Sequence, residues 1–508
     1  METGIDRAIV LVGFMGAGKS TGARALAAEL GVAAVDSDRE LELVLGEPIE
    51  AFFDRHGEDA YRAREEEMVC ELLARGDAQV IALGGGAVQS ERVREALARH
   101  TVVHLGVEPE SAWRRASGKG RPLARDPARF AQLHSDRANL YEAVADVLMP
   151  PGDRDALRRA LPYVRALRDA PPGTRLLWAV AASGDYPVFL GRGLIESRFF
   201  PPLGGRRHVV TDENVATAQP VEGDNRILVR AGEQHKTLQA AEHVLRSLAQ
   251  AGAERSDLVV AVGGGVVGDL AGFCASVYQR GMGHVQVPTT LVAQVDSAYG
   301  GKTGVDLPEG KNYAGAYHQP AAVLCDPSAL DTLPPEEHAA GYTEVVKTAL
   351  IAGGVLWARV RQGEAPGPKE IMGCVRTKLS VVAEDERDGG RRQVLNLGHT
   401  VGHAIEAATG YARYRHGEAV GIGLLAALRL SDRDALRAEV ADLLAARGLP
   451  LAFSGAPVED VLDQVGRDKK RQAGRVPFVL VEAPGAVTPG HEVDPARLRE
   501  AVEEVHER

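Results

Sequence analysis

Cysteine is scarce in this 508-residue chain. Its four thiols, Cys70, Cys274, Cys325 and Cys374, lie far apart with no paired spacing, which excludes a disulfide framework and a thiolate zinc site and fits a reducing cytosol. Long apolar runs are missing too, so nothing has the length of a membrane span. The amino-terminal segment enters the apolar stretch IVLVGF without the basic start and extended apolar core of a signal peptide. The chain reads as soluble and cytoplasmic, with no membrane partner. Positive charge is in deficit: a formal net charge of −11 excludes a general nucleic-acid binder and leaves room for local basic pockets that take anionic metabolites. Internal repeats and low-complexity runs are absent. Length alone predicts roughly two to four domains.

What is present begins with a β-branched run, Ala8 to Phe14, that ends in Gly13-Phe-Met-Gly16-Ala-Gly18-Lys19-Ser20 and continues into the alanine-rich STGARALAAEL. Strand, glycine loop and helix come in the order a phosphate-binding loop requires. The glycines let backbone N–H groups wrap phosphates, Lys19 neutralises them, and Ser20 is placed to ligate Mg²⁺ at a helix N-terminus. Gly16, Gly18, Lys19, Ser20 and Thr21 are therefore the expected ATP-binding residues. Downstream, AVDSD ends a short strand with Asp36 and Asp38, expected to point the same way on an extended chain. One is suited to hold Mg²⁺ through water and the other to accept a substrate hydroxyl. Next come Tyr61-Arg62-Ala-Arg-Glu65 and the strand VIALGGGAV, whose Gly84, Gly85 and Gly86 allow a ligand close to the backbone. Gly118-Lys-Gly-Arg121-Pro122 lies in a polar, flexible segment, and Asp136-Arg137-Ala-Asn-Leu-Tyr141 is expected to open a helix. An arginine on a mobile lid closes over phosphates during transfer.

These elements resemble a shikimate kinase over essentially the whole first module, residues 1–168. The resemblance implies that Asp38, Arg62, Gly84, Gly85, Gly86 and Arg137 hold shikimate, that Asp36 supports Mg²⁺, and that Arg121 is the lid arginine. Tyr61 replaces the usual Phe. Proline-glycine clusters at Pro150-Pro151-Gly152 and Pro171-Pro172-Gly173 punctuate the chain, and a linker is expected at residues 169–174.

The second module opens with alternating apolar strands and helical stretches to about residue 333, an α/β pattern. Gly263-Gly264-Gly265-Val-Val-Gly268-Asp269 follows a strand and enters a helix, so its backbone can approach a pyrophosphate, although it departs from the G-x-G-x-x-G fingerprint. Asp212 and Asn214 in TDEN, with Glu233 and Lys236 in GEQHK, are polar clusters at strand ends suited to ribose or base; singly each also reads as a turn residue. Arg280, Thr289-Thr290, Asp296, Lys302 and Lys311-Asn312 then cluster among glycines and apolar residues, which points to an anionic ligand. From Pro334 the pattern turns helical. Glu344 and Lys347, three apart, share a helix face; Lys378, Arg392 and Asn396 lead into LNLGHTVGHAIE. There His399 and His403, four apart, present two imidazoles on one face, and Glu344 and His416 are candidates to complete a metal site. Thr400 follows His399, so this is not the glutamate-bearing zinc protease pattern.

Across nearly all of residues 174–508 these segments, together with TEVVK, HGEAV and Asp468-Lys469-Lys470, resemble 3-dehydroquinate synthase. The resemblance implies an NAD-binding α/β domain at 175–333 and a mostly helical metal-binding domain at 334–508. It also implies NAD as cofactor for Gly263, Gly264, Gly265, Asp269, Thr289 and Thr290, alongside Asp212, Asn214, Glu233 and Lys236. Zn²⁺ would sit on Glu344, His399 and His416, and His403 would line the site; whether Co²⁺ can take its place stays open. Asp296, Lys302, Lys347 and His403 would be catalytic. Arg280, Lys302, Lys311, Asn312, Lys378, Arg392, Asn396 and one or both of Lys469 and Lys470 would bind the phosphate and carboxylate of a seven-carbon keto-sugar acid. Asp388 stands where Glu is usual. Tyr299 stands where a small residue is usual and is expected to reshape the pocket. The overall expectation is an α/β chain with a P-loop kinase domain, its parallel sheet covered by helices on both faces, then the two synthase domains; a homo-oligomer is left open. The competing readings are a metal-dependent polyol dehydrogenase or another sugar-phosphate cyclase for the second module, and a nucleotide-sensing role for the first. The lysine cluster speaks against a neutral polyol, and an intact set of Asp38, Arg62 and Arg137 against a sensor.

Overall fold

The computed structural model describes residues 7–76, 80–118, 122–152, 155–219, 221–466 and 476–507. The chain divides into two compact units, residues 1–179 with 187–189, and residues 180–186 with 190–508.

In the first unit, short β-branched runs form strands Ile9–Val12 (β1), Ala34–Asp36 (β2), Val80–Ala82 (β3), Thr101–Leu105 (β4), Val147–Met149 (β5) and Arg175–Ala179 (β6). They pair in parallel in the order β2-β3-β1-β4-β5-β6. Parallel strands are covered on both faces, which is why β1, β3 and β5 are apolar without alternation and wholly buried. Val10, Val12, Leu41, Val69, Leu72, Ile81, Val102, Phe130 and Tyr141 belong to one core cluster. β1 lies between β3 and β4, so the chain reverses direction across the sheet at the end of β1, where α/β sheets open a crevice for ligands. Strand β6 pairs with β5 through Val147 and Leu176, beyond the linker expected at 169–174.

After Tyr186–Leu190 (β7), most of which belongs to the first unit, the second unit holds Arg207–Asp212 (β8), Asn225–Val229 (β9), Leu258–Gly263 (β10) and Gly283–Pro288 (β11). The antiparallel hairpin Lys302–Leu307 (β12) and Gly310–Tyr317 (β13) precedes Ala322–Cys325 (β14). The parallel order is β9-β8-β10-β11-β14. From Pro335 to Glu503 the chain is mainly helical, interrupted by the antiparallel pair Phe478–Ala483 (β15) and Ala486–His491 (β16). This is the expected sequence of a parallel kinase-like part, an α/β part and a helical part. Among the described residues no helix is long and apolar enough to cross a membrane, and all four cysteines are unpaired.

The helical part is drawn together at glycines. A Cβ on Gly417 would stand 1.9 Å from the Ala340 carbonyl oxygen, and one on Gly423 would stand 2.1 Å from that of Gly398. Backbone cannot yield at such distances, so helix His416–Leu430 lies against its neighbours only because these positions carry no side chain. Gly423→Ala is expected to cost about 1–3 kcal/mol of stability, the usual range for overpacking, read as a lower urea midpoint.

His284 on β11 is buried and stacks on His318, with ring centroids 5.1 Å apart. Burial, with a smaller contribution from His318, pulls its pKa down to about 3. The native ring stays neutral while the unfolded one protonates near pH 6.5, so its stability contribution is complete above pH 6.5 and is lost as pH falls toward 3. His284→Phe should flatten the fall in melting temperature between pH 6.5 and 4.5; an unchanged profile would remove His284 as its cause.

Candidate active sites

The loop between β1 and helix Lys19–Leu30 is shaped by glycines. Gly16 has φ 83°, and a Cβ there would meet the Ala112 carbonyl oxygen at 2.7 Å. No side chain caps the helix at Gly18, so its first N–H groups are left for an anion. Lys19 Nζ donates to the carbonyls of Gly13 (2.8 Å) and Phe14 (3.1 Å), folding over the loop it serves. The loop opens into a cavity of about 800 Å³ lined by Gly16, Gly18, Lys19, Ser20 and Thr21, and by Asp36, Asp38, Arg62, Gly85, Gly86 and Arg137.

Three readings of this region change in their physical basis. Asp36 ends β2, but Asp38 is not on an extended chain: it lies in the first turn of helix Ser37–Leu45, and Asp36 caps that helix by accepting from the Asp38 N–H at 3.1 Å. Arg137 lies inside helix Pro127–Val144 rather than at its start. The glycine triplet makes room for the protein's own charges. A Cβ on Gly84 would meet Asp38 Oδ1 at 2.5 Å and Glu65 Oε1 at 2.7 Å, and one on Gly86 would lie 2.0 Å from Arg62 Nη1. Glu65 is buried, accepts from Tyr61 Oη at 3.0 Å and pairs with Arg62 at 2.5 Å. Arg137 is also buried, donates to the Gly85 carbonyl at 3.3 Å, and is held below its ordinary pKa by burial. The Nε atoms of Arg62 and Arg137 have no hydrogen-bond partner among the described residues, as expected of a pocket built for an anionic ligand. Arg121 lies outside the described residues.

In the second unit the ends of β8, β10 and β11 carry Asp212, Gly263 and Pro288. A Cβ on Gly264 would meet Thr290 Cγ2 at 2.8 Å, and helix Gly265–Val277 starts without a side-chain cap. Thr289 Oγ1 is buried and unpartnered. Asp212 caps its own helix, accepting from the N–H groups of Asn214 (2.9 Å) and Val215 (3.0 Å). Lys236 is buried 3.0 Å from Glu233 and 3.2 Å from Asp269. Burial pushes Asp269 up to about 6 against the pull of Lys236. Much of the polarity expected to face ribose or base is thus spent within the protein.

Asp296 sits in a π-helical turn, Ala293–Ser297, a geometry frequent at functional sites. Lys378 Nζ donates to its carboxylate at 2.8 Å and to its carbonyl at 2.5 Å. Burial lowers Lys378 to about 8 despite Asp296; Asp296 drops to about 2 because Lys378 and Lys347 outweigh its burial. Lys302 is paired with Asp388 at 2.5 Å. Asn312 adopts φ 56° in the hairpin, its N–H bonded to Asp306 Oδ1 at 2.8 Å. Arg392 is buried and donates to the Gly300 carbonyl at 2.9 Å and to that of Glu386. Asn396 ends the turn Arg391–Asn396 and is half-buried. Arg280 is not brought to this group: it is exposed ahead of Gly283, at the end of β11 opposite Pro288. The Tyr299 ring is buried beside Cys325, Tyr186 and Cys374. Lys469 and Lys470 lie outside the described residues.

Helix Pro335–Ala352 buries Glu344 and Lys347 completely, 2.6 Å apart. Lys347 also donates to the Leu395 carbonyl at 2.9 Å. One donor atom from each of His399, His403 and His416 falls within 4.8 Å of the others. Glu344 Oε1 lies 3.7 Å from His399 Nε2 and 3.6 Å from His416 Nε2, and it has no hydrogen bond. A buried carboxylate oxygen without a hydrogen bond beside three imidazoles fits a divalent cation such as zinc. Without one, burial disfavours charge on His416, yet Glu344 and Glu406 raise it to about 10.

Family models match the chain in series: shikimate kinase over residues 15–167, 3-dehydroquinate synthase N-terminal over 226–340, and 3-dehydroquinate synthase C-terminal over 341–471. The 3-dehydroquinate synthase of Acidithiobacillus ferrooxidans (strain ATCC 53993 / BNL-5-31) is 42% identical over 346 residues, 63% of this chain and 95% of that protein. That of Halorhodospira halophila is 40% identical over 353 residues, 65% and 99% respectively. The chain belongs to the 3-dehydroquinate synthase family. A shikimate kinase domain precedes the synthase part, so the chain joins a kinase to a cyclising lyase. Among solved structures, 2-deoxy-scyllo-inosose synthase complexed with carbaglucose-6-phosphate, NAD+ and Co2+ is 26% identical, with TM-score 0.58, covering 65% of this chain and 100% of its own. The relatives of the synthase part disfavour the polyol dehydrogenase and other-cyclase readings, and the match to shikimate kinase disfavours a mere sensor.

Sequence reasoning passed over two carboxylates of these sites. Glu65 had a local signal, its i+3 spacing from Arg62 on a helix. Glu406 ends the histidine segment and meets His416 and Lys311 only through the fold. Gly86→Ala should displace Arg62 and lower kcat/KM for shikimate phosphorylation about tenfold or more, as loss of a charged hydrogen bond does, with dehydroquinate synthesis unchanged. Equal loss of both activities would mean that the substitution unfolds the chain instead.

Proposed function

We propose that this chain catalyses ATP-dependent phosphorylation of shikimate to shikimate 3-phosphate. Its synthase part converts 3-deoxy-D-arabino-heptulosonate 7-phosphate to 3-dehydroquinate and phosphate. In the first reaction Asp38 accepts the proton of the attacking hydroxyl while Arg62 and Arg137 hold the substrate carboxylate. Backbone N–H groups at Gly16 and Gly18 cradle the ATP phosphates, with Thr21 beside them, and Lys19, joined by Arg121, offsets charge on the phosphoryl group as it passes to the hydroxyl. Ser20, and Asp36 through water, would hold Mg²⁺.

In the second reaction Gly263, Gly264, Gly265, Thr289 and Thr290 form the backbone and hydroxyl surface against NAD. Glu344, His399 and His416 would hold zinc, with His403 lining the same site. When bound, NAD would supply a reversible hydride acceptor and zinc a Lewis acid for substrate oxygens, with no net redox change. The chain's own residues do the rest. Lys302, Lys311, Lys347, Lys378 and Arg392, with one or both of Lys469 and Lys470, offset the charge of the substrate's phosphate and carboxylate, and Asn312 and Asn396 donate hydrogen bonds to it. Asp296, kept ionised by Lys378 and Lys347, is an active-site carboxyl group near the cofactor. The observation that carries this reading is the convergence of three imidazoles and a carboxylate oxygen without a hydrogen bond, next to buried lysines, in a chain of this family. Four unpaired cysteines and small-molecule substrates support a cytoplasmic setting.

The two activities are expected to separate. Lys19→Met should lower shikimate phosphorylation by about a thousandfold or more, within the range seen when charge stabilisation at a transferring phosphoryl group is removed, and leave phosphate release from the heptulosonate unaltered. A metal chelator should abolish that phosphate release, and zinc should restore it. Persistence of phosphate release in metal-free protein would sink the zinc reading.

A further inference from the structure

Glu406 has no part in the reactions above, yet it is almost fully buried at the metal end of the synthase part. A carboxylate in such a place needs partners, and among the described residues His416 and Lys311 meet its two oxygens. Oε2 lies 3.3 Å from His416 Nδ1, and Oε1 accepts from Lys311 Nζ at 2.9 Å. On the other side of the His416 ring, Nε2 lies 3.6 Å from Glu344 Oε1. His399 repeats this layout with a backbone acceptor: its Nδ1 meets the Leu397 carbonyl at 3.2 Å and its Nε2 lies 3.7 Å from Glu344 Oε1. In the His416 ring the acceptor on Nδ1 makes Nε2, the nitrogen on the Glu344 side, the one with the lone pair for a cation.

We propose that Glu406 is a positioning residue for the metal centre. It accepts the Nδ1–H of His416, fixes the tautomer and ring plane in which Nε2 donates, and takes its own orientation from Lys311. Lys311 belongs to the β12–β13 hairpin, stands 4.9 Å over the Tyr411 ring and 3.8 Å from Glu233. One carboxylate thus joins a substrate-binding cation to a metal ligand. The proposal rests on the reading of His416 as a zinc ligand.

The test uses full-length protein, with zinc affinity measured by competition against a chromophoric chelator and Co²⁺ absorption bands as a probe of ligand geometry. Glu406→Ala should bind zinc about 10–100-fold more weakly, the usual effect of losing such a partner, and shift the cobalt bands. Glu406→Gln fills the same volume and keeps an acceptor oxygen for Nδ1, so it should recover most of both. Lys311→Met removes the cation that orients Glu406 and should weaken zinc binding less than Glu406→Ala does, because the acceptor on His416 remains. Zinc affinity and cobalt bands of Glu406→Ala matching those of the parent would overturn the proposal, as would equal losses in Glu406→Gln and Glu406→Ala. Failure of the parent itself to bind zinc would instead remove His416 as a ligand, and this proposal with it.

Discussion

Burying two full charges on one face of a helix costs several kcal/mol per ion unless the charges meet each other and their remaining hydrogen-bonding capacity is met. Helix Pro335–Ala352 does this with Glu344 and Lys347, and the surroundings follow from how that demand is satisfied. Lys347 spends one proton on Glu344 and another on the Leu395 carbonyl, which ties the turn ahead of the histidine helix to this helix. Glu344 turns its second oxygen toward His399 and His416. From there opposite charges alternate outward: Lys378 meets Asp296, and His416 meets Glu406, Lys311 and Glu233 in turn. Removal of Glu344, Lys347, Asp296 or Lys378 strands a buried charge, so the group is organised before substrate arrives.

The kinase part meets a similar demand differently. There the charges are placed first and the backbone gives way to them. Arg62, Asp38 and Glu65 occupy the space that side chains at Gly84 and Gly86 would fill. Glycine in that stretch is a steric requirement of its neighbours, and the open cavity remains for the two anionic reactants. In both parts a polar atom without a hydrogen bond among the described residues, Nε of Arg62 and Arg137 or Oε1 of Glu344, marks where the protein stops satisfying itself.

Much of this was legible in the sequence because it is local. The phosphate loop is one strand-turn-helix, and the spacings His399 to His403 and Glu344 to Lys347 are properties of a single helix. What failed to show depends on neighbours. Asp38 was read on an extended chain although Asp36, a good capping residue ahead of a helical run, announced the helix start. Arg280 resembled its fellow cations in composition, but it precedes β11 whereas they gather where that strand ends. The burial of Tyr299 beside Cys325 likewise depends on residues distant in sequence. Glu406 had no signal beyond its position in the segment, since its partners come from sequence far away.

The π turn at Ala293–Ser297 limits which insertions and deletions this chain can accept. Such a turn holds one residue more than an α-helical turn, and each helical residue advances the side-chain direction by about 100°. Deleting a single residue there would let the segment relax to an ordinary helix, yet it would swing Asp296 away from Lys378 and leave both buried charges alone. Length in this segment is therefore fixed by phase, and the local irregularity persists because regularity would aim the carboxylate elsewhere.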